Sequence, residues 1–255
     1  MGATTQSLRE IGKRQMAISE HLRGHGTPIN VENWRRYAAS PEFRATFELI
    51  LDKTRQLSVH PGSEHIITRG DVADLLHQSP KDGVHATMVW GYPRGRFPGG
   101  RGFSRIFDNA ERLGELLTKA RTERLPAGRI CEVFSSFADP GGERIGMGPS
   151  TFTKLLYFAG VVAEEGRCLI YDQRVMRSIV GNALQLPDEI WRETRQLLGP
   201  PVRLIPRVRH CASYGPFLSA ATEHARRHGM TSDAVELWLF QNGPGRQPAY
   251  VAVDP

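Results

Sequence analysis

Apolar residues recur at helical spacing along most of the chain, and no stretch of any length alternates apolar with polar residues. Leu8, Ile11, Ile18 and Leu22 line one side of a predicted helix over residues 5–24, which Gly24, Gly26 and Pro28 end. A second helix is predicted near residues 32–39. A third follows Pro41, with Phe43, Phe47, Ile50, Leu51 and Leu57 in register, and residues 58–66 read as a loop. Thr68 with Asp71 three residues on gives a capping-box-like start to DVADLLHQ. A short apolar run then reaches Trp90, and a single helix is predicted over 104–121 from Ile106, Ala110, Leu113 and Leu117. Pro126 occupies a first-turn position for a helix carrying Ile130, Val133, Phe134 and Phe137, and ADPGGER breaks it. Towards the end, Pro187 starts a helix that Leu198-Gly199-Pro200 stops, and residues 200–210 form a basic linker. Residues 215–228 form a helix closed by Gly229, and Ser232 caps the last one, DAVELWLFQ. The predicted fold is mainly α.

Composition places this pattern in an ordinary globular protein: 255 residues, 40% hydrophobic and 24% charged, enough to bury its own core. Lys and Arg number 33 against 27 Asp and Glu, a net charge of +6. Most of the excess lies between residues 91 and 130, where nine basic residues face four acidic ones. Between Gly91 and Phe103 the chain carries five glycines, two prolines, Arg94, Arg96, Arg101 and the aromatics Tyr92, Phe97 and Phe103. Arginines mixed with stacking groups suit a nucleic-acid surface, while a surface loop with its aromatics tucked inward accounts for the same residues. Cys131, Cys168 and Cys211 are odd in number and form no CxxC pair, so neither a metal site nor an iron–sulfur cluster is expected. Unpaired thiols point to a reducing cytoplasm. No signal peptide or membrane-spanning run is evident, because the longest apolar run, 155–163, is too short.

Chemistry concentrates in residues 145–175, IGMGPSTFTKLLYFAGVVAEEGRCLIYDQRV. Ile145-Gly146-Met147-Gly148 is a glycine turn before a helix, where exposed N–H groups and the positive helix end favour phosphate, and Ser150 or Thr151 can cap that helix. Lys154 follows in the first turn or two among Phe152, Leu155, Leu156, Tyr157, Phe158 and Ala159, surroundings that favour a neutral, nucleophilic amine. Asp172 stands before QRVMRSIV as an N-cap, and the length of 155–171 suits a helix and a return crossing that brings it beside Lys154. Taken singly, a tight corner, a solvated lysine and a plain cap describe these positions as well.

Together, the hydrophobic–Gly–hydrophobic–Gly turn, the helix lysine and an aspartate eighteen residues later resemble the helix-hairpin-helix DNA glycosylases, specifically the bacterial branch similar to 8-oxoguanine glycosylase. WGYPRG and the final ELWLF segment resemble that branch too. The resemblance implies a helix-hairpin-helix glycosylase fold with two helical lobes flanking an active-site cleft. Residues 1–125 would form an N-terminal lobe carrying the loop 91–105, 126–185 the catalytic lobe, and 186–255 helices that pack back on the cleft. It implies Lys154 and Asp172 as the catalytic pair, with Gly146, Gly148, Ser150, Arg94, Arg96 and Arg101 on DNA. Trp90, Tyr92, Phe158, Glu236 and Phe240 are the candidates for the base pocket. The implied partner is double-stranded DNA containing a modified base, bound by a cytoplasmic monomer without cofactor, metal or membrane. Its substrate would be 8-oxoguanine in base-excision repair or a hypermodified phage base such as glucosylated hydroxymethylcytosine in antiviral defence. The departures are Pro149-Ser150 after the turn and no β-rich N-terminal domain. A non-catalytic DNA-binding protein would use the same turn but need neither Lys154 nor Asp172.

Overall fold

The computed structural model describes residues 21–57, 65–96, 102–181 and 212–242, together with Leu184, Asp188, Arg192, Thr194 and Arg195. Most of the helix expected over 5–24 lies outside these residues, as do the linker 200–210 and residues 58–64 of the loop expected over 58–66, whose last residue, Ile66, opens a strand instead. Of the helix expected from Pro187, Asp188, Arg192, Thr194 and Arg195 are helical.

The protein is mainly helical and divides into two compact units. One holds Glu20–Lys119 with Ala138–Ile145; the other holds Ala120–Phe137 with Gly146–Arg246.

In the first unit β1 (Gly26–Pro28) leads to α1 (Val31–Arg35), a 3-10 turn (Arg36–Ala39) and α2 (Pro41–Leu57). Asn30 caps α1 by accepting from Asn33 N at 2.8 Å. Then follow β2 (Ile66–Thr68), α3 (Arg69–Gln78), α4 (Pro80–Gly91), α5 (Gly102–Asp108) and α6 (Ala110–Thr122), the last residues of α6 belonging to the second unit. β1 pairs antiparallel with β2, Gly26 opposite Thr68, a short ribbon that the helical pattern did not announce. Thr68 and Asp71 form the capping box expected at α3.

One addition and one correction fall here. The apolar run before Trp90 is the helix α4, capped by Ser79 with Pro80 in its first turn. Every residue from Gly83 to Trp90 is buried, so no polar face marks the helical period. Gly83 permits the close packing of α4 on α3, since a Cβ there would lie 2.3 Å from the Cα of Leu76. The expected single helix over 104–121 is two, broken at Asn109, whose Nδ2 donates to Arg105 O at 3.0 Å.

The second unit contains α7 (Ala127–Ser135), α8 (Pro149–Phe158), β3 (Val162–Ala163), β4 (Gly166–Arg167), α9 (Gln173–Val180), α10 (Tyr214–His228) and α11 (Ser232–Asn242). Pro126 is the N-cap of α7 rather than a first-turn residue, and Phe137 lies beyond the helix. Proline cannot cap with its side chain, and Glu165 does so instead, accepting from Ala127 N at 2.9 Å. Gly229, at φ +62°, closes α10 as expected. Thr231 rather than Ser232 caps α11, its hydroxyl accepting from Ala234 N. α9 is pinned to α11 twice: Ser178 donates to Leu239 O, and Arg174 Nε donates to Phe240 O at 2.9 Å.

Candidate active site

α8 is buried on every side from Thr151 to Phe158, more fully than the single apolar face expected. Lys154 lies in its second turn with a side chain only 5% exposed. Helix side chains lean towards the N-terminus, and the Lys154 amine accordingly reaches back to donate to Ser150 O at 2.7 Å. The same nitrogen lies 3.3 Å from Asp172 Oδ2. Asp172 is the N-cap of α9, and its other oxygen accepts from Arg174 N at 2.9 Å and Val175 N at 3.2 Å. One carboxylate oxygen thus holds the helix end while the second faces the amine.

The segment before Asp172 is held along its length. Thr153 Oγ1 accepts from Tyr171 N at 3.0 Å. The Tyr171 hydroxyl meets Thr194 at 2.8 Å and Ser213 at 3.2 Å, and its ring stacks on Phe217. Tyr214 donates to Leu169 O at 2.8 Å. Burial pushes the neighbouring Cys168 thiol up to about 11, which leaves it a protonated packing group at neutral pH.

In the glycine turn Ile145 and Met147 are buried, while Gly148 is exposed. Gly146, at φ +81°, occupies a conformation that favours glycine. Gly148 is extended, and a Cβ on it would meet nothing within 4 Å. Gly148 itself is the N-cap of α8, without a side-chain bond, so neither Ser150 nor Thr151 caps it. Pro149, at the first helical position, has no N–H to satisfy.

With this geometry in view, the chain matches the family model described as "Putative 8-oxoguanine DNA glycosylase OGG-like protein" over residues 20–240. That span covers most of the 255 residues. The chain belongs to this family. Comparisons with curated proteins and with solved structures find no match.

The other residues singled out in this OGG-like protein fall in different places. Phe158 closes α8, edge-on to Tyr157. Glu236 and Phe240 lie on α11, both buried, and the Arg174 guanidinium sits 5.0 Å over the Phe240 ring. These three share the second unit with Lys154 and Asp172. Trp90 and Tyr92 belong to the first unit, where Trp90 is buried against His25 and Arg69. Arg94 and Arg96 are exposed on either side of buried Gly95, in a turn held by Asn33 on Arg94 O at 3.0 Å and Tyr37 on Gly95 O at 3.2 Å. Arg101 lies outside the described residues. Arg105 and Arg112, part of the basic stretch, bind residues 138–144 instead: Arg105 pairs with Glu143 at 2.6 Å, and Arg112 donates to Ala138 O at 3.0 Å.

Sequence reasoning passed over Thr153, Tyr171 and Arg174, which hold the pair and its neighbours. Only the position of Tyr171 beside Asp172 hinted at a role. His224 and His228 approach to 4.4 Å between ring centroids, and no group of three potential metal ligands occurs among the described residues. No described helix is long and apolar enough to cross a membrane.

Proposed function

We propose that this OGG-like protein flips a modified nucleotide out of duplex DNA and excises its base by attack of Lys154 on C1′ of the sugar. The observation that carries the proposal is the buried 3.3 Å contact between the Lys154 amine, which reaches back to Ser150 O, and Asp172, the N-cap of α9. A base inside a duplex is out of reach, so extrusion precedes chemistry. The Lys154 nitrogen, its ammonium proton first passed to Asp172, forms a bond to C1′ as the glycosidic bond breaks, and the bonding electrons leave with the base, which takes up that proton. Asp172 accepts the proton that the attacking nitrogen releases and stabilises positive charge developing on the sugar. Ring opening then gives a Schiff base, from which β-elimination nicks the strand.

Exposed Gly148 and half-buried Gly146 and Ser150 give a phosphate close access to the start of α8. The fold itself does not require glycine at 148, since a Cβ there has open space, which supports a role in backbone approach. Arg94 and Arg96 supply further phosphate contacts from their docked turn, and Phe158, Glu236 and Phe240 frame the base. The substrate is either the 8-oxoguanine of the family's description or a glucosylated hydroxymethylcytosine of phage DNA. Incubating the protein with each DNA and measuring abasic sites separates the two. Borohydride should trap a covalent complex that Lys154→Gln no longer forms. DNA binding without base release or trapping on any modified duplex would leave a non-catalytic DNA-binding protein.

A further inference from the structure

We propose that Thr153 is a positioning residue for the Lys154–Asp172 pair, its hydroxyl setting the distance between amine and carboxylate. The inference rests on the excision chemistry assigned to that pair. Thr153 is wholly buried, and its Oγ1 has two directed bonds. It donates to Pro149 O at 2.6 Å, one turn back along α8, and accepts from Tyr171 N at 3.0 Å, in the segment that ends in Asp172. The donor bond fixes the hydroxyl's orientation, which leaves a lone pair aimed at Tyr171.

The geometry repeats one residue further on. Lys154 also bonds one turn back, to Ser150 O at 2.7 Å, and also reaches across to the other segment, at Asp172. Thr153 with Tyr171 and Lys154 with Asp172 are thus consecutive rungs between the same two stretches of chain, both spanning eighteen residues. The first rung is a directed bond from a buried amide. The second is an ion pair at 3.3 Å, longer and freer to adjust. The first therefore holds the register in which the second operates.

Tyr171 has its own anchor at the far end, where its hydroxyl meets Thr194 and Ser213 and its ring stacks on Phe217 at 4.9 Å between centroids. That anchor fixes the ring but not the Ile170–Tyr171 peptide plane, one residue before Asp172. Thr153 fixes that plane. A valine at 153 keeps nearly the same shape but removes both bonds and leaves the Tyr171 N–H without its partner in the interior. Displacing a reacting group by about 1 Å is enough to cost on the order of 10²-fold in rate.

The test compares Thr153→Val and Thr153→Ser with the unsubstituted full-length protein. On 8-oxoguanine duplex and on glucosylated phage DNA it measures the single-turnover excision rate, DNA affinity and borohydride trapping; on the free protein it measures amide hydrogen exchange at residues 171–175. Thr153→Val should lower the rate by about 10- to 100-fold with affinity unchanged and speed exchange at 171–175. Thr153→Ser, which keeps the hydroxyl, should restore both to within about threefold. A serine variant as slow as the valine one, or a rate loss accounted for by the unfolded fraction alone, would overturn the positioning role. Unchanged exchange at 171–175 in Thr153→Val would overturn it too. Should Thr153→Val not fold, Thr153→Ala takes its place with the same expected outcomes. If the unsubstituted protein neither excises nor traps any of these DNAs, the Lys154 chemistry fails. Exchange then decides the clamp by itself: faster in the valine variant and restored by serine upholds it, and unchanged exchange rejects it.

Discussion

Each unit buries a nitrogen base in contact with an oxygen network built from a threonine and a carboxylate, and the two networks are wired differently. In the first unit His85 Nδ1 meets Thr46 Oγ1 at 3.0 Å, and Thr46 donates to Asp82. In the second, Lys154 meets Asp172 while Thr153 holds the adjacent backbone. His85 sits edge-on to Phe43 and Phe107 with no exposed surface, and burial pushes its pKa down to about 4. A neutral imidazole caged by aromatic rings is a packing group. Lys154 instead donates to a backbone carbonyl and meets its carboxylate directly, and Asp172 keeps 12% of its side chain exposed. The two networks differ in how base and carboxylate meet: directly, at 3.3 Å, for Lys154 and Asp172, and through the Thr46 hydroxyl for His85 and Asp82.

The comparison breaks most sharply at Lys154. Lys154→Gln should lower base release by on the order of 10³-fold or more and abolish borohydride trapping, while circular dichroism stays unchanged. Retained trapping would move the nucleophile elsewhere. Asp172→Asn should cost about 10²-fold or more in single-turnover rate with α9 intact, because Asn caps a helix as well as Asp. An equal loss of helicity would make Asp172 a cap and nothing more.

His85 sharpens the contrast from the other side. Its folded value of about 4 lies below its ordinary 6.5, so on acidification the unfolded chain takes up the proton first. Stability is complete above about pH 6.5 and falls towards pH 4, by on the order of 3 kcal/mol in total. Urea unfolding at pH 7 and pH 4.5 checks this, and His85→Phe should flatten the dependence in that window. The smallest effect is expected at Gly148→Ala. Stability should change by less than about 0.5 kcal/mol, while DNA affinity falls by roughly tenfold, about 1.4 kcal/mol. Unchanged affinity, read by fluorescence anisotropy, would remove the turn from the DNA contact.

Much of this was legible along the chain, for identifiable reasons. Amphipathic helices announce themselves because one face is wet, which is why α2, α3 and α10 lie where the pattern predicts. α4 did not, since burial on all sides erases the period. The break at Asn109 went unread because the apolar spacing runs straight across it. Ser150 and Thr151 have the chemistry of caps, yet the helix starts at Pro149 with Gly148 before it, so their hydroxyls fall inside the first turn. Lys154 and Asp172 stood out as charges bounding apolar runs.

By itself, then, the sequence determined the helical class, the family and the two ionisable groups of residues 145–175, because these depend on residue type and local spacing. Only the tertiary structure decided that Lys154 and Asp172 approach to 3.3 Å and that Thr153 and Tyr171 hold the register between their segments. It also decided that Arg105 and Arg112 bind within the protein. These are outcomes of which distant segments pack together. A threonine in a helix or an arginine in a basic run carries the same local signature whichever partner it finds.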